Sequence, residues 1–251
     1  ALQRDHAAEL KLAAERLKGT ARHTEIIPSK VLSDMTGHEI LLKPENLQVT
    51  GSFKIRGAYN KIASLSDEQL ARGIVTASAG NHAQGVAYAA RERGAKATIC
   101  MPQITPPLKV DATKAYGADV VLYGEVFDES AARAQELSDT EGMIYVPPFD
   151  DYEVLCGQGT IGLEILEQLP DVDMIFVPIG GGGLIAGLAY AVKNLKPDCR
   201  IVGVQAAGAP SMAESLKEGK IITLSSVDTV ADGIKVKTPG DLTFDMCREY
   251  V

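Results

Sequence analysis

Apolar positions along the chain switch between a helical period and short unbroken runs rich in β-branched residues. The opening stretch, ALQRDHAAELKLAAERLKG, predicts an amphipathic helix ending at about Leu17 and closed by Gly19. An extended connection, ARHTEIIPSKVLSD, then leads to a strand over 39–43. A helix is expected after Ser52, with Ser52 as its N-cap, reaching about Leu65. From there strands and helices alternate. Strands are predicted at 73–78, 97–101, 118–123, 143–147, 173–180 and 200–205. Helices are predicted at 81–93, 108–116, 128–137, 153–169, from Leu184 onward, and at 212–217, with a last one in TFDMCREYV.

Short strands separated by helices of this length imply parallel strands joined by crossover helices. The run Pro147-Pro148-Phe149-Asp150-Asp151 marks a soft boundary. Residues 51–146 are expected to form a small domain, and residues 1–50 with 147–251 a larger, discontinuous one. A ligand cleft would lie between them.

Three stretches carry candidate chemistry. In KPENLQVTGSFKIRGAYN, Lys54 and Arg56 fall in the first helical turn, where amides and the helix dipole disfavour cations. Taken alone, a lysine at a helix start is a solvated surface residue. If buried there, Lys54 would shift toward the free amine that carbonyl chemistry needs. The second stretch is Gly180-Gly181-Gly182-Gly183, between a strand and the helix LIAGLAYAVKNL. Amides free of Cβ at a helix N-terminus suit a phosphate, although a tight turn would explain one or two glycines. No Gly-Lys-Ser/Thr follows, and the next strand ends in Gln205 instead of a ribose-binding acid, so a dinucleotide fits poorly. The third is Ser78-Ala79-Gly80-Asn81-His82, a second strand-to-helix turn suited to a carboxylate. Individually, Asn81 could be only a helix cap and His82 a solvated residue. Together, a poised lysine, a phosphate cradle and a carboxylate cradle describe a pyridoxal-phosphate enzyme acting on an amino acid.

Composition narrows this further. At 251 residues and 45% hydrophobic, the chain can bury a sizeable core. A net charge of −8, with no arginine-rich run, excludes nucleic acid and anionic membrane as main partners. The uncharged stretch from Met174 to Val192 is interrupted by Pro178 and the four glycines, so it is no membrane span. Cys100, Cys156, Cys199 and Cys247 are scattered, without metal spacing, as in reduced cytoplasmic proteins.

KPENLQVTGSFKIRGAYNK resembles the cofactor-lysine motif of the threonine dehydratases (threonine ammonia-lyases). TASAGNHAQGVAYAA, PPFDDYEVLCGQGTIGLEI, VPIGGGGLIAGLA and VADGIKVKTPGDLTFD resemble that family in the same order, closest to its catabolic type. The resemblance implies an α/β fold of the tryptophan-synthase-β-like group, fold-type II among pyridoxal-phosphate enzymes. Two open, mostly parallel twisted sheets would be flanked by helices. It also places the C-terminal part of the fold, with the residue that meets the pyridine nitrogen, beyond Val251.

The resemblance further implies that Lys54 carries the cofactor and then acts as base at the substrate Cα. Phe53 would pack beside the ring and Asn81 would bond its 3′-oxygen. Gly180, Gly181, Gly182, Gly183 and Leu184 would hold the phosphate, and Gly233 in the 231–234 stretch would close the far side. Ser78, Ala79, Gly80, Asn81 and His82 would surround the substrate carboxylate. The implied reaction is β-elimination from L-threonine or L-serine, in a cytoplasmic homodimer or homotetramer. Serine racemases carry a Ser where this chain has Ala79, which favours dehydration. Gln205 and Ser211 stand where some relatives have an acidic cation site, so no metal is expected. The remaining alternatives are a racemase, a β-replacement synthase, or an inactive ligand-binding form.

Overall fold

The computed structural model describes residues 6–251. Helix α1 (His6–Leu17) is followed by β1 (Ile27–Pro28), α2 (Lys30–Thr36) and β2 (Leu41–Leu42), which pairs antiparallel with β1. The expected extended connection therefore contains a helix. Ser29 caps its start by accepting from Leu32 N, and Gly37 ends it in the left-handed region at φ 72°. The helix buries none of its residues, so no apolar stripe announced it.

A 3-10 turn at Glu45–Leu47 leads to α3 (Lys54–Ala63), capped by Phe53 rather than Ser52. The Ser52 hydroxyl still accepts from Lys54 N at 3.4 Å. Next comes the unexpected α4 (Asp67–Ala71), started by a Ser66/Gln69 capping box. Then follow β3 (Ile74–Ala77), α5 (Asn81–Glu92), β4 (Ala97–Met101), α6 (Pro107–Ala115), β5 (Asp119–Leu122), α7 (Phe127–Glu141) and β6 (Ile144–Tyr145). These strands form one parallel sheet in the order β5-β4-β3-β6. Its strands alternate sides as the β period requires. Ile74 and Ile99 face a core with Ile62, Val86 and Ala87. Val75, Ala77 and Cys100 face Ala134 and Leu137 of α7.

The remaining elements are α8 (Tyr152–Gln168), β7 (Met174–Pro178), α9 (Gly183–Leu195), β8 (Arg200–Val204), α10 (Ser211–Glu218), a 3-10 turn at Asp232–Ile234, and α11 (Asp241–Tyr250). Strands β7 and β8 pair in parallel over a second core built on Ile175, Val177, Ile179, Ile185, Leu188, Ile201, Met212 and Phe244. Helix α8 joins the two halves by lying against both α3 and α9. A Cβ on Gly157 would stand 2.5 Å from the Arg56 carbonyl oxygen, and one on Gly187 would stand 2.1 Å from that of Leu155. Only glycine permits helices this close.

Arg56 fixes α3 against α8. It is 1% exposed, and its guanidinium donates to Glu45 at 2.8 and 2.9 Å and to Glu164 at 2.6 and 2.9 Å. Burial works against the charge, but hydrogen bonds to these carboxylates outweigh it and hold the pKa above the usual guanidinium value. Glu164 also accepts from Lys43 Nζ at 2.6 Å. A cation early in the helix is thus accommodated by two acids brought from elsewhere.

Candidate active site

Lys54 is the first residue of α3 and is half-buried. Its Nζ donates to the Pro148 carbonyl at 2.6 Å and lies 5.5 Å from the centre of the Phe53 ring. Burial pushes its pKa down to about 8. The cofactor-free amine therefore still holds its proton through most of the neutral range and releases it near pH 8. Helix α5 crosses directly behind it, since a Cβ on Gly85 would stand 3.1 Å from the Lys54 carbonyl carbon.

The turn into α5 holds the second group. Ser78 Oγ accepts from Gly80 N at 3.2 Å, shaping the loop, and Ala79 lies half-buried at its centre. Gly80, not Asn81, is the helix cap, and Asn81 is exposed at the first helical position. His82 is 3% exposed, so it is no solvated helix residue. Its Nε2 lies 3.0 Å from the Val146 carbonyl, which can only accept, so Nε2 carries the proton. Nδ1 is then a buried acceptor without a partner among the described residues. Burial, reinforced by the Lys54 charge, lowers the His82 pKa to about 3, so the ring is neutral.

The glycine bend forms the third group, at the end of β7 and the start of α9. Neighbours crowd every position of the bend. A Cβ on Gly181 would meet the Phe149 ring at 2.4 Å, and one on Gly183 would meet Phe149 Cβ at 2.8 Å. On Gly182 it would meet Met212 Cε at 2.7 Å, and Gly182 is also left-handed at φ 101°. On Gly180 it would stand 3.1 Å from Ile234 Cα and 3.4 Å from the Gly233 carbonyl oxygen, which brings the 231–234 stretch against the bend. Leu184 is half-buried and packs into the adjoining core. Among the described residues, the amides of Gly181 and Gly182 donate to no protein acceptor. They remain available to an anion, together with those of the first turn of α9.

The segment from Val146 to Asp150 links all three groups. Val146 O takes His82 and also Thr76 Oγ1 at 2.7 Å, Pro148 O takes Lys54, and Phe149 lies on Gly181 and Gly183. Asp150 accepts from the amides of Asp241 and Thr243, each at 3.1 Å. In the sequence this stretch stood out as a boundary and as part of a family-like motif, but not as a link between the three groups, because its contacts run through carbonyls, one ring and one carboxylate to distant partners. Across the same region, Lys109 of α6 bonds Asp232 at 3.1 Å. No cluster of metal-ligating side chains occurs among the described residues.

An amine whose pKa is lowered to about 8 can condense with an aldehyde. A bend of side-chain-free amides at a helix start can hold a phosphate, so the residues present fit pyridoxal phosphate. The chain belongs to the family of pyridoxal-phosphate dependent enzymes, whose sequence model matches residues 17–251. It is 52% identical over 243 residues to an L-threonine ammonia-lyase of Thermotoga maritima, covering 97% of this chain and 61% of that protein. It is 48% identical to the catabolic L-threonine dehydratase of Escherichia coli, covering 95% of this chain and 73% of that one. The fold matches the processed form of threonine deaminase isoform 2 from Solanum lycopersicum with TM-score 0.96 and 46% identity, covering 100% of this chain and 69% of that chain. It matches maize serine racemase with TM-score 0.94 and 39% identity, covering 97% and 74%. The chain spans about three fifths of the length of the Thermotoga protein and of an L-threonine ammonia-lyase from Geobacter sulfurreducens, 61% and 60%.

Proposed function

We propose that the chain carries out β-elimination on L-threonine, and on L-serine, giving 2-oxobutanoate or pyruvate with ammonia. The observation that carries this reading is Lys54. Its amine donates to the Pro148 carbonyl, one residue before the ring that packs on the glycine bend. The bound cofactor would supply the covalent anchor and the electron sink that makes the Cα proton removable. The chain's own residues do the rest. Lys54 moves the proton at Cα, and its lowered pKa suits that work near neutral pH. Gly180, Gly181, Gly182, Gly183 and Leu184 offer amides to the phosphate, with Gly233 closing the far side. Phe53 flanks the ring, and Asn81, exposed at its helix start, reaches the 3′-oxygen. Ser78, Ala79, Gly80, Asn81 and His82 receive the substrate carboxylate.

Racemisation is the second reading, favoured by the likeness to maize serine racemase. Ala79 argues against it, because a methyl group offers no proton to the opposite face of Cα. We further propose two domains, 51–146 and the remainder, a cytoplasmic location, and a homodimer or homotetramer. Among the described residues no helix is long and apolar enough to cross a membrane. The exposed Val31 and Met35 of α2, 70% and 76% exposed, support self-association.

The test is ketoacid release from L-threonine and L-serine with added pyridoxal phosphate, beside Lys54→Ala. Release by the native chain and none by the variant is expected. Absence of ketoacid from both substrates would contradict elimination, and D-serine formed without ketoacid would favour the racemase.

A further inference from the structure

We propose that Thr243, with Asp150 behind it, is a positioning residue that orients the phosphate-binding amides of the glycine bend. This rests on reading the bend as the cofactor's phosphate site. Thr243 is completely buried in the first turn of α11. Its Oγ1 donates to the Gly181 carbonyl at 2.6 Å and accepts from Gly240 N at 3.0 Å. A peptide unit is planar, with its C=O and N–H pointing in opposite directions. Drawing the Gly181 carbonyl toward α11 therefore turns the Gly182 N–H to the other side of the bend. That amide finds no protein acceptor among the described residues.

The restraint matters because the bend cannot hold itself. Four glycines in a row have no side chains to lock their peptide planes, and glycine populates both signs of φ. A flip of the Gly181–Gly182 peptide would exchange an N–H for a carbonyl oxygen and present negative charge to a phosphate. Thr243 opposes that flip with a short hydrogen bond between partners 62 residues apart. Asp150 fixes Thr243 in turn. Its Oδ1 accepts from Thr243 N and its Oδ2 from Asp241 N, capping α11. Phe149 also lies against the bend, its ring at Gly181 and its Cβ and backbone at Gly183, so the bend is held from two sides.

The experiment compares binding of pyridoxal 5′-phosphate with that of pyridoxal, which lacks the phosphate, by calorimetric titration. Native protein, Thr243→Val and Thr243→Ser are titrated alike. The native chain is expected to prefer the phosphorylated form. Thr243→Val should weaken that form by about tenfold while leaving pyridoxal unchanged, as expected for one lost hydrogen bond. Thr243→Ser, which keeps the hydroxyl, should restore the preference. An undiminished preference in Thr243→Val, or an equal fall for both ligands, would overturn the proposal. A native chain without any preference would instead remove the phosphate-site reading. Should Thr243→Val fail to fold, Asp150→Ala reads the same restraint from behind: a reduced preference supports it, and an intact one overturns it.

Discussion

Lys54 and His82 are both forced toward neutrality by burial, and this makes the cofactor-free protein's stability depend on pH. The folded pKa of Lys54, about 8, lies below its ordinary 10.5. The unfolded chain then binds the proton more tightly, and stability rises with pH between these values. Against Lys54→Met, the native chain's deficit in chemical denaturation should therefore shrink from pH 8 toward pH 10.5. For His82 the window runs from about 3 to 6.5, and stability falls as pH drops through it. A His82→Gln variant should show a flatter acid limb. An unchanged slope would mean that the ring is solvated. At Ala79 the expected gain is chemical: Ala79→Ser adds a hydroxyl to the loop and should add some racemisation of serine, read by chiral chromatography. The glycines and the Ser78–His82 loop stood out in the sequence because backbone chemistry at strand-to-helix turns leaves local marks, and Lys54 because a cation at a helix start breaks the dipole rule. Thr243 and Asp150 did not, since a hydroxyl meeting a carbonyl 62 positions away leaves no such mark.

Among the helices, those with a long buried apolar face were the readable ones. Helices α5, α8 and α9 declared themselves through long apolar runs. Helix α2, which buries none of its residues, did not, and α4 rests on a five-residue capped turn. Arg56 illustrates a conflict between local and tertiary rules: the first turn disfavours its charge, but Glu45 and Glu164 satisfy it from outside the helix. Replacing it with Ala leaves two largely buried carboxylates without their main partner. Arg56→Ala should cost about 3–5 kcal/mol in denaturant unfolding, and a loss below about 1 kcal/mol would mean that water replaces the guanidinium. At the bend, Gly181→Ala drives a methyl group into the Phe149 ring. It should cost about 1–3 kcal/mol through overpacking and weaken binding of the phosphorylated cofactor. Normal binding would show that the bend is more pliant than its contacts indicate.

At the scale of the molecule, α3, α5 and the 146–150 segment carry the amine and the buried imidazole, while β7, α9 and α11 carry the bend. Helix α8 holds these halves in register, and parallel pairing places the chemistry at strand ends, where such folds bind ligands. Light scattering after size exclusion should give a dimer or tetramer, and a monomer would contradict the proposed association. The account as a whole depends on one bond between this chain and the aldehyde of pyridoxal phosphate. The direct measurement is borohydride reduction of the protein with its cofactor, followed by peptide mass mapping. The account predicts a pyridoxyl group on Lys54, in the peptide containing Ser52-Phe53-Lys54. A label on any other lysine, or no label under conditions where the cofactor binds, would contradict it.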